Sequence, residues 1–269
     1  MSLDNKLIEA YENRPRNAVT QLITCTIVVA LIVWSGSAVD YSGGVASGGQ
    51  IAVNILSGIF HPDMDLLLDF TGGVPYLMME TICIAFLGTV VGAILAIPLS
   101  FLSASNLVPK PVAFVGRVFI MAVRTIPSLV YGLMFIRVAP GAFAGLMTMA
   151  VSSIGMVSKM YIEAIEDLDV KILESLDAAG CNTFLKIRYG ILPQLIPNFA
   201  STAIYRFDIN LRDATVLGLV GAGGYGAPLI FAMNSYRWNE AGAILAGLIV
   251  LVLVVEYIST RIRVKLARG

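Results

Sequence analysis

Residues 81–101 read TICIAFLGTVVGAILAIPLSF, a run without a single charged side chain. As an α-helix, a run of this length rises roughly 30 Å, the thickness of a bilayer's hydrocarbon core. The chain around it has the matching composition: 269 residues, 57% hydrophobic and only 13% charged. Soluble domains carry about 25% charged residues, so an ordinary soluble globule is excluded. The 18 basic residues cancel the 18 acidic ones. There is thus no basic excess to draw the chain onto nucleic acid.

Five further segments follow from the same test, giving an all-α integral membrane protein with about six transmembrane helices. The expected spans are residues 18–38, 74–103, 118–139, 143–157, 198–220 and 241–258. The third carries Arg124, the fourth is short, and the fifth holds Arg206, Asp208, Arg212 and Asp213. A cytoplasmic tail is expected over residues 1–17, and a single membrane domain over 18–269. Pro98 and Pro127 are expected to kink their helices, and Pro140 to mark a short turn. Residues 51–60, too short to span, read as an interfacial helix.

Lys and Arg distribution sets the orientation. With the N-terminus inside, the inner side collects Lys6, Arg14, Arg16, Lys110, Arg117, Lys159, Lys171, Lys186, Arg188, Arg261, Arg263, Lys265 and Arg268, against Arg137 and Arg237 outside. This positive-inside bias places both termini in the cytoplasm and residues 40–73, with Asp40, Asp63, Asp65 and Asp69, outside. Gly36-Ser37-Ala38 resembles a signal cleavage site, but the tail before the first span is long and carries Asp4, Glu9 and Glu12, unlike a secretory signal.

Catalytic and metal motifs are missing. Cys25, Cys83 and Cys181 form no CxxC, one histidine cannot supply a paired nucleophile, and no P-loop is present. Gly221-Ala-Gly-Gly-Tyr-Gly226 matches G-x-G-x-x-G, yet it follows a helix-length span and is followed by Pro228, outside any βαβ context. Gly218, Gly221, Gly223, Gly224 and Gly226 read instead as a tight, closely packed turn where the fifth span ends. Gly88/Gly92 and Gly141/Gly145 form G-x-x-x-G pairs, a sign of close helix packing.

Residues 158–197 make a long cytoplasmic connection with helical periodicity. Leu168, Ile172, Leu173, Leu176 and Ala179 recur at helical spacing among acidic and basic residues. Gly180-Cys181-Asn182 supplies a stop, and Thr183 is expected to cap a second short helix over residues 184–189, before Leu192-Pro193. Such a helix-turn-helix suits docking in a partner's groove or packing on its own bundle. In the fifth span, at about 100° per residue, Arg206, Asn210 and Asp213 share one face while Asp208, Arg212 and Thr215 share nearly the opposite one. Each charge at mid-membrane costs roughly 2.5–3.5 kcal/mol, so these groups pair, sit near an interface or line water. Asp208 and Arg212 have the i, i+4 spacing of an internal ion pair. In the third span Arg124, Ser128 and Tyr131 form a narrower polar stripe.

Glu174-Ser175-Leu176, Gly180 and Leu192-Pro193 stand at the spacing of the E-A-A, three residues, G, nine residues, I-x-L-P motif of ABC importer permeases. Ser175 and Leu176 replace the two alanines, and Gly190 replaces the isoleucine. Arg124-Thr-Ile-Pro127, Tyr205-Arg-Phe-Asp208, Asn210-Leu-Arg212 and the run from Ala214 to Gly224 resemble the phosphonate importer branch of that family. The resemblance implies a homodimer, two cytoplasmic ATPase subunits that bind the ATP and Mg, an extracytoplasmic binding protein, and a bacterial inner-membrane location. It makes this chain a non-catalytic subunit without a cofactor of its own. Glu174, Asp177, Gly180, Leu192 and Pro193 are then the ATPase-coupling residues. Arg124, Ser128, Tyr131, Arg206, Asp208 and Arg212 are candidates for the translocation pathway or its gate, because an organophosphonate or phosphite meets cationic and amide donors along its route. The rival readings are a permease for another small substrate, such as an amino acid, and a channel or carrier that runs without an ATPase.

Overall fold

The structure, a computed structural model, describes residues 18–39 and 48–268, and its chain divides into compact units at residues 1–51 and 52–269. The tail charges at positions 4–16, Asp40, and the side chains of Leu173 and Arg268 lie outside the described residues. Among the described residues, every regular element is helical. In the first unit, α1 (Ala18–Ala38) is apolar all round. Its Thr24 and Thr26 hydroxyls donate back to the carbonyls of Thr20 and Leu22 at 2.8 Å, so neither is left without an acceptor.

The second unit takes in most of α2 (Gly48–Phe60), then α3 (Met64–Leu68), α4 (Val74–Ser103), α5 (Lys110–Thr125), α6 (Ser128–Val138) and α7 (Ala142–Glu166). Asp63 caps α3 by accepting from the backbone of Asp65 and Leu66. Between α3 and α4, Asp69 accepts from the Thr71 hydroxyl at 2.6 Å and its N–H at 2.9 Å, which holds the carboxyl below its ordinary range.

Helices α4 and α7 run parallel in a fixed register. A Cβ on Gly88 would press on Met149, one on Gly92 would lie 2.5 Å from the Ser153 Cβ and 2.7 Å from the Ala150 carbonyl, and Ser105 bonds Glu166. Each pair is 61 residues apart in sequence. The G-x-x-x-G of α4 is therefore the surface on which α7 lies, at a distance only glycine permits.

Two parallel helices need a return between them, and α5 with α6 provides it. Arg117 pairs with Glu166, the Arg124 stem lies where a Cβ of Gly155 would be, and Gly132 faces Leu217 and Thr148, so the pair travels antiparallel to α7. The kink expected within residues 118–139 is a break: α5 and α6 meet at 80°. Pro127 has no N–H to continue the ladder and forces Ile126 into an extended conformation (φ −84°, ψ 122°). Tyr131, buried, donates its hydroxyl to the Val123 carbonyl at 3.1 Å and thereby satisfies one of the free carbonyls at the end of α5.

The fourth expected span, residues 143–157, extends as α7 to Glu166, which is no longer a short helix. Beyond it come α8 (Val170–Ala178), α9 (Thr183–Leu185), a wide turn at Lys186–Ile191, α10 (Leu192–Leu219), α11 (Gly226–Asn234) and α12 (Trp238–Arg268). The cap before α9 is Asn182, whose side chain accepts from the Leu185 N–H at 2.9 Å, and not Thr183. Leu192-Pro193 does not end a helix but starts α10. Pro193 cannot donate to the carbonyl four residues back, and its ring crowds it, so the preceding turn widens and the Leu192 N–H reaches Ile187.

Helix α10 runs antiparallel to α7: Phe199 stacks on Tyr161 with ring centroids 4.0 Å apart, Arg206 reaches Ser153, and Ala222, just past the end of α10, lies against Gly145. Core clusters form around Leu77, Leu211, Tyr225 and Ile244, around Val157, Tyr161, Ile191 and Phe199, and around Ile84, Met149 and Leu217. Among the described residues, four helices, α1, α4, α7 and α12, are long and apolar enough to cross a membrane, and the α5–α6 pair makes a fifth. Helix α10 has the length, 28 residues, but is more polar.

Candidate functional site: a charged helix and a capped coupling segment

The two faces of α10 have different fates. Arg206 is 5% exposed and tied to α7: its Nε donates to Ser153 Oγ at 3.1 Å, its Nη2 to Ser152 Oγ at 2.8 Å, and its Nη1 lies 3.1 Å from Met156 Sδ. One turn on, Asn210 Nδ2 donates to both Ser153 Oγ and Thr89 Oγ1 at 2.8 Å. Ser153 thus accepts from two residues of α10, and Thr89 brings α4 into the same network. The sequence gives no warning of these hydroxyls except that Ser152-Ser153 is a polar pair inside an apolar helix.

Asp208, 4% exposed, forms an ion pair with Arg212 one turn away, while its Oδ1 has no hydrogen-bond partner among the described residues. The Arg212 side chain is 50% exposed. Steps of four, three, four, three and four residues carry Gln194, Asn198, Ser201, Tyr205, Asp208 and Arg212 along one line of α10. That polar stripe is about 27 Å long at 1.5 Å per residue, close to the thickness of a hydrocarbon core.

Arg124, in the last turn of α5, is exposed, and among the described residues its guanidinium has no hydrogen-bond or ion-pair partner. It borders a cleft of about 220 Å³ with the pairs Arg117–Glu166 and Lys159–Glu163. Ser128 opens α6 beside the break and is half-buried. Of the six pathway candidates, the structure thus leaves Arg124, Ser128 and Arg212 accessible and turns Tyr131, Arg206 and Asp208 inward.

At the far end of α10 the glycines build a turn with a definite bond pattern. Gly221, at φ 99°, donates to Gly218 O, and Ala222 donates to Leu217 O, which is the Schellman arrangement of a helix terminus. Gly221 O in turn accepts from the Gly141 N–H at 3.0 Å. Gly223 sits over Ala142, Gly224 over Thr81, and Gly218 and Gly226 against each other's backbone.

The same terminus closes α8. Gly180, at φ 75°, donates to Asp177 O at 2.9 Å, and Cys181 donates to Leu176 O at 3.0 Å. Glu174 is exposed on α8, Asp177 is paired with Lys186, and Leu192 and Pro193 begin α10. Gly190 lies under the Leu176 Cδ1 methyl. Two of the three departures from the permease motif therefore touch: a leucine stands for the smaller alanine at 176 and a glycine for the larger isoleucine at 190, an exchange of volume across one contact. Gly190→Ile alone is expected to lower the melting temperature by several degrees, since overpacking costs about 1–3 kcal/mol. Gly190→Ile with Leu176→Ala is expected to restore most of it in a fluorescence-monitored melt; equal loss in single and double variants would refute the pairing.

A helical membrane bundle with one charged internal helix and a capped helix pair at one end is the architecture of an ABC importer's membrane subunit. Residues 96–269 match the model of the family described as "Binding-protein-dependent transport system inner membrane component". The chain is 35% identical over 199 residues to the "Phosphite transport system permease protein PtxC" of Stutzerimonas stutzeri, covering 72% of each. It is also 35% identical over 198 residues to the "Phosphate-import permease protein PhnE" of Mycolicibacterium smegmatis, covering 73% of this chain and 37% of that one. Its fold is similar to that of a chain in the inward-facing MetNI methionine ABC transporter, with TM-score 0.62, 20% identity, and coverage of 72% of this chain and 95% of that one. The chain belongs to the family of binding-protein-dependent transport system inner membrane components. Membership makes it a multi-pass inner-membrane permease subunit and implies an ATPase and a binding protein as its partners.

Proposed function

We propose that this chain is the permease of an importer for phosphorus oxyanions, phosphonates, phosphite or phosphate, and that its pathway runs along the polar stripe of α10. The observation that carries the reading is a stripe of bilayer length ending at a half-exposed Arg212, in a chain 35% identical to a phosphite permease. Helices that face lipid do not bear such a line of amides, hydroxyls and charges, so its exposed members, Gln194, Asn198 and Arg212, face water or another subunit. A second copy of this chain is the occupant we assign to that side, making a homodimer with a polar seam. The capped segment around Glu174, Asp177 and Gly180 receives the ATPase, which holds ATP and Mg²⁺; closure of two ATPases then moves α8 and rocks the bundle between outward-open and inward-open states. Both termini lie in the cytoplasm, and the chain itself carries out no bond chemistry.

Arg124 and Arg212 meet the anion, whereas Arg206 anchors α10 to α7. Proteoliposomes containing the chain, its ATPase and its binding protein are expected to accumulate labelled methylphosphonate, phosphite or phosphate only with ATP. Arg124→Gln is expected to fold normally and reduce uptake at least about tenfold, the loss of one charge-assisted contact. ATP-dependent uptake of an amino acid, with none of any phosphorus oxyanion, would defeat the substrate assignment.

A further inference from the structure

Beside the N-terminal half of the α10 stripe lies a cavity of about 730 Å³ between α7, α10 and α12. Gln194, Asn198, Ser201 and Tyr205 line it from α10, and Arg263 of α12 is the one charged residue among the described residues that line it. The Arg263 guanidinium sits 5.4 Å from the centre of the Tyr205 ring, and its Nη2 donates to Thr260 Oγ1 at 3.2 Å. Its Nε is buried and has no hydrogen-bond partner among the described residues. A buried donor of a charged group left unmatched is unfavourable, and the described residues around the cavity include no carboxylate to answer it. The cation–π contact with Tyr205 and the bond to Thr260 hold the guanidinium at the cavity wall.

We propose that this cavity is a second anion site, taking a tetrahedral phosphorus oxyanion through Arg263, with Asn198, Ser201 and Tyr205 as further donors. A tetrahedral ion offers acceptors in more directions than a planar carboxylate, which suits donors arriving from two helices. The site lies on the stripe about 20 Å from Arg212, at 1.5 Å per residue from Asn198, and so stands at the opposite end of the proposed pathway. As an exit site it rests on the importer reading; as an anion site it rests only on the cavity. The phosphorus oxyanion is either the free ion or the headgroup of an acidic phospholipid.

The test uses the full-length chain without its ATPase, in nanodiscs of phosphatidylcholine, with labelled inorganic phosphate and methylphosphonate as probes. Saturable binding is expected, weakened about tenfold or more by Arg263→Gln, as for loss of a charge-assisted contact. Asn198→Leu, at an exposed position, is expected to weaken it at least about threefold, and Arg263→Lys less than Arg263→Gln. In nanodiscs doped with phosphatidylglycerol, competition with phosphate and Arg263-dependent lipid retention in native mass spectrometry would identify a headgroup as occupant; undiminished phosphate binding would identify the free ion. Phosphate binding and lipid retention both unchanged in Arg263→Gln and Asn198→Leu would overturn the site. Failure of the reconstituted complex to import any phosphorus oxyanion would instead remove the exit role, leaving Arg263-dependent binding to be read separately.

Discussion

Gly92→Leu is expected to abolish assembly of the bundle. At this position a first side-chain carbon already lies 2.5 Å from the Ser153 Cβ and 2.7 Å from the Ala150 carbonyl, and three more carbons have nowhere to go. Ordinary overpacking costs about 1–3 kcal/mol because side chains yield. Here the obstacle includes backbone, so α4 and α7 must separate, and the network from Thr89 through Ser153 to Arg206 parts with them. The variant should vanish from the monodisperse peak in size-exclusion chromatography of a fluorescent fusion. Gly92→Ala should survive with a lowered melting temperature. A Gly92→Leu protein with wild-type yield and melting temperature would contradict the packing described for this pair.

Arg212→Gln should be the second most damaging change, for a reason that can be separated from transport. It leaves the Asp208 carboxylate, 4% exposed, without its counter-ion. Breaking a buried pair from one side costs about 3–5 kcal/mol, and the half-exposed position of Arg212 argues for the lower figure. Asp208→Asn combined with Arg212→Gln removes the stranded charge and should recover most of the melting temperature. Uptake should stay lost in the double variant, because the cation at the end of the stripe is gone. Recovery of uptake along with stability would reduce Arg212 to a structural partner. A wild-type melting temperature for Arg212→Gln alone would dispose of the ion pair's importance.

The sequence makes the membrane helices legible because their signal is local: an apolar run of sufficient length announces itself. The glycine turns were equally readable at Gly180 and Gly221, since each follows a periodic segment. The division of labour between Arg206 and Arg212 was not. Both sit in one helix with similar neighbours, and what distinguishes them, Ser152 and Ser153, belongs to a different helix. The same holds for Gly190, whose reason is the Leu176 methyl. Helix α11 escaped notice because its nine residues follow a glycine run that reads as the end of order. The break at Pro127 is visible as a proline, but neither its size, 80°, nor the brace from Tyr131 to Val123 across it is.

The parallel register of α4 and α7 also sets a waiting time. A residue on α4 meets its partner only after 61 further residues have been made, as Gly92 and Ser153 show. At about 5–20 residues per second, synthesis of that interval takes roughly 3–12 s. Throughout it, the glycine face of α4 has no α7 to meet, and the Thr89 hydroxyl beside it waits longer still for Asn210 of α10. A nascent chain stalled near Pro140 would hold that face open, and is the state in which a chaperone or a neighbouring small-residue helix would find it.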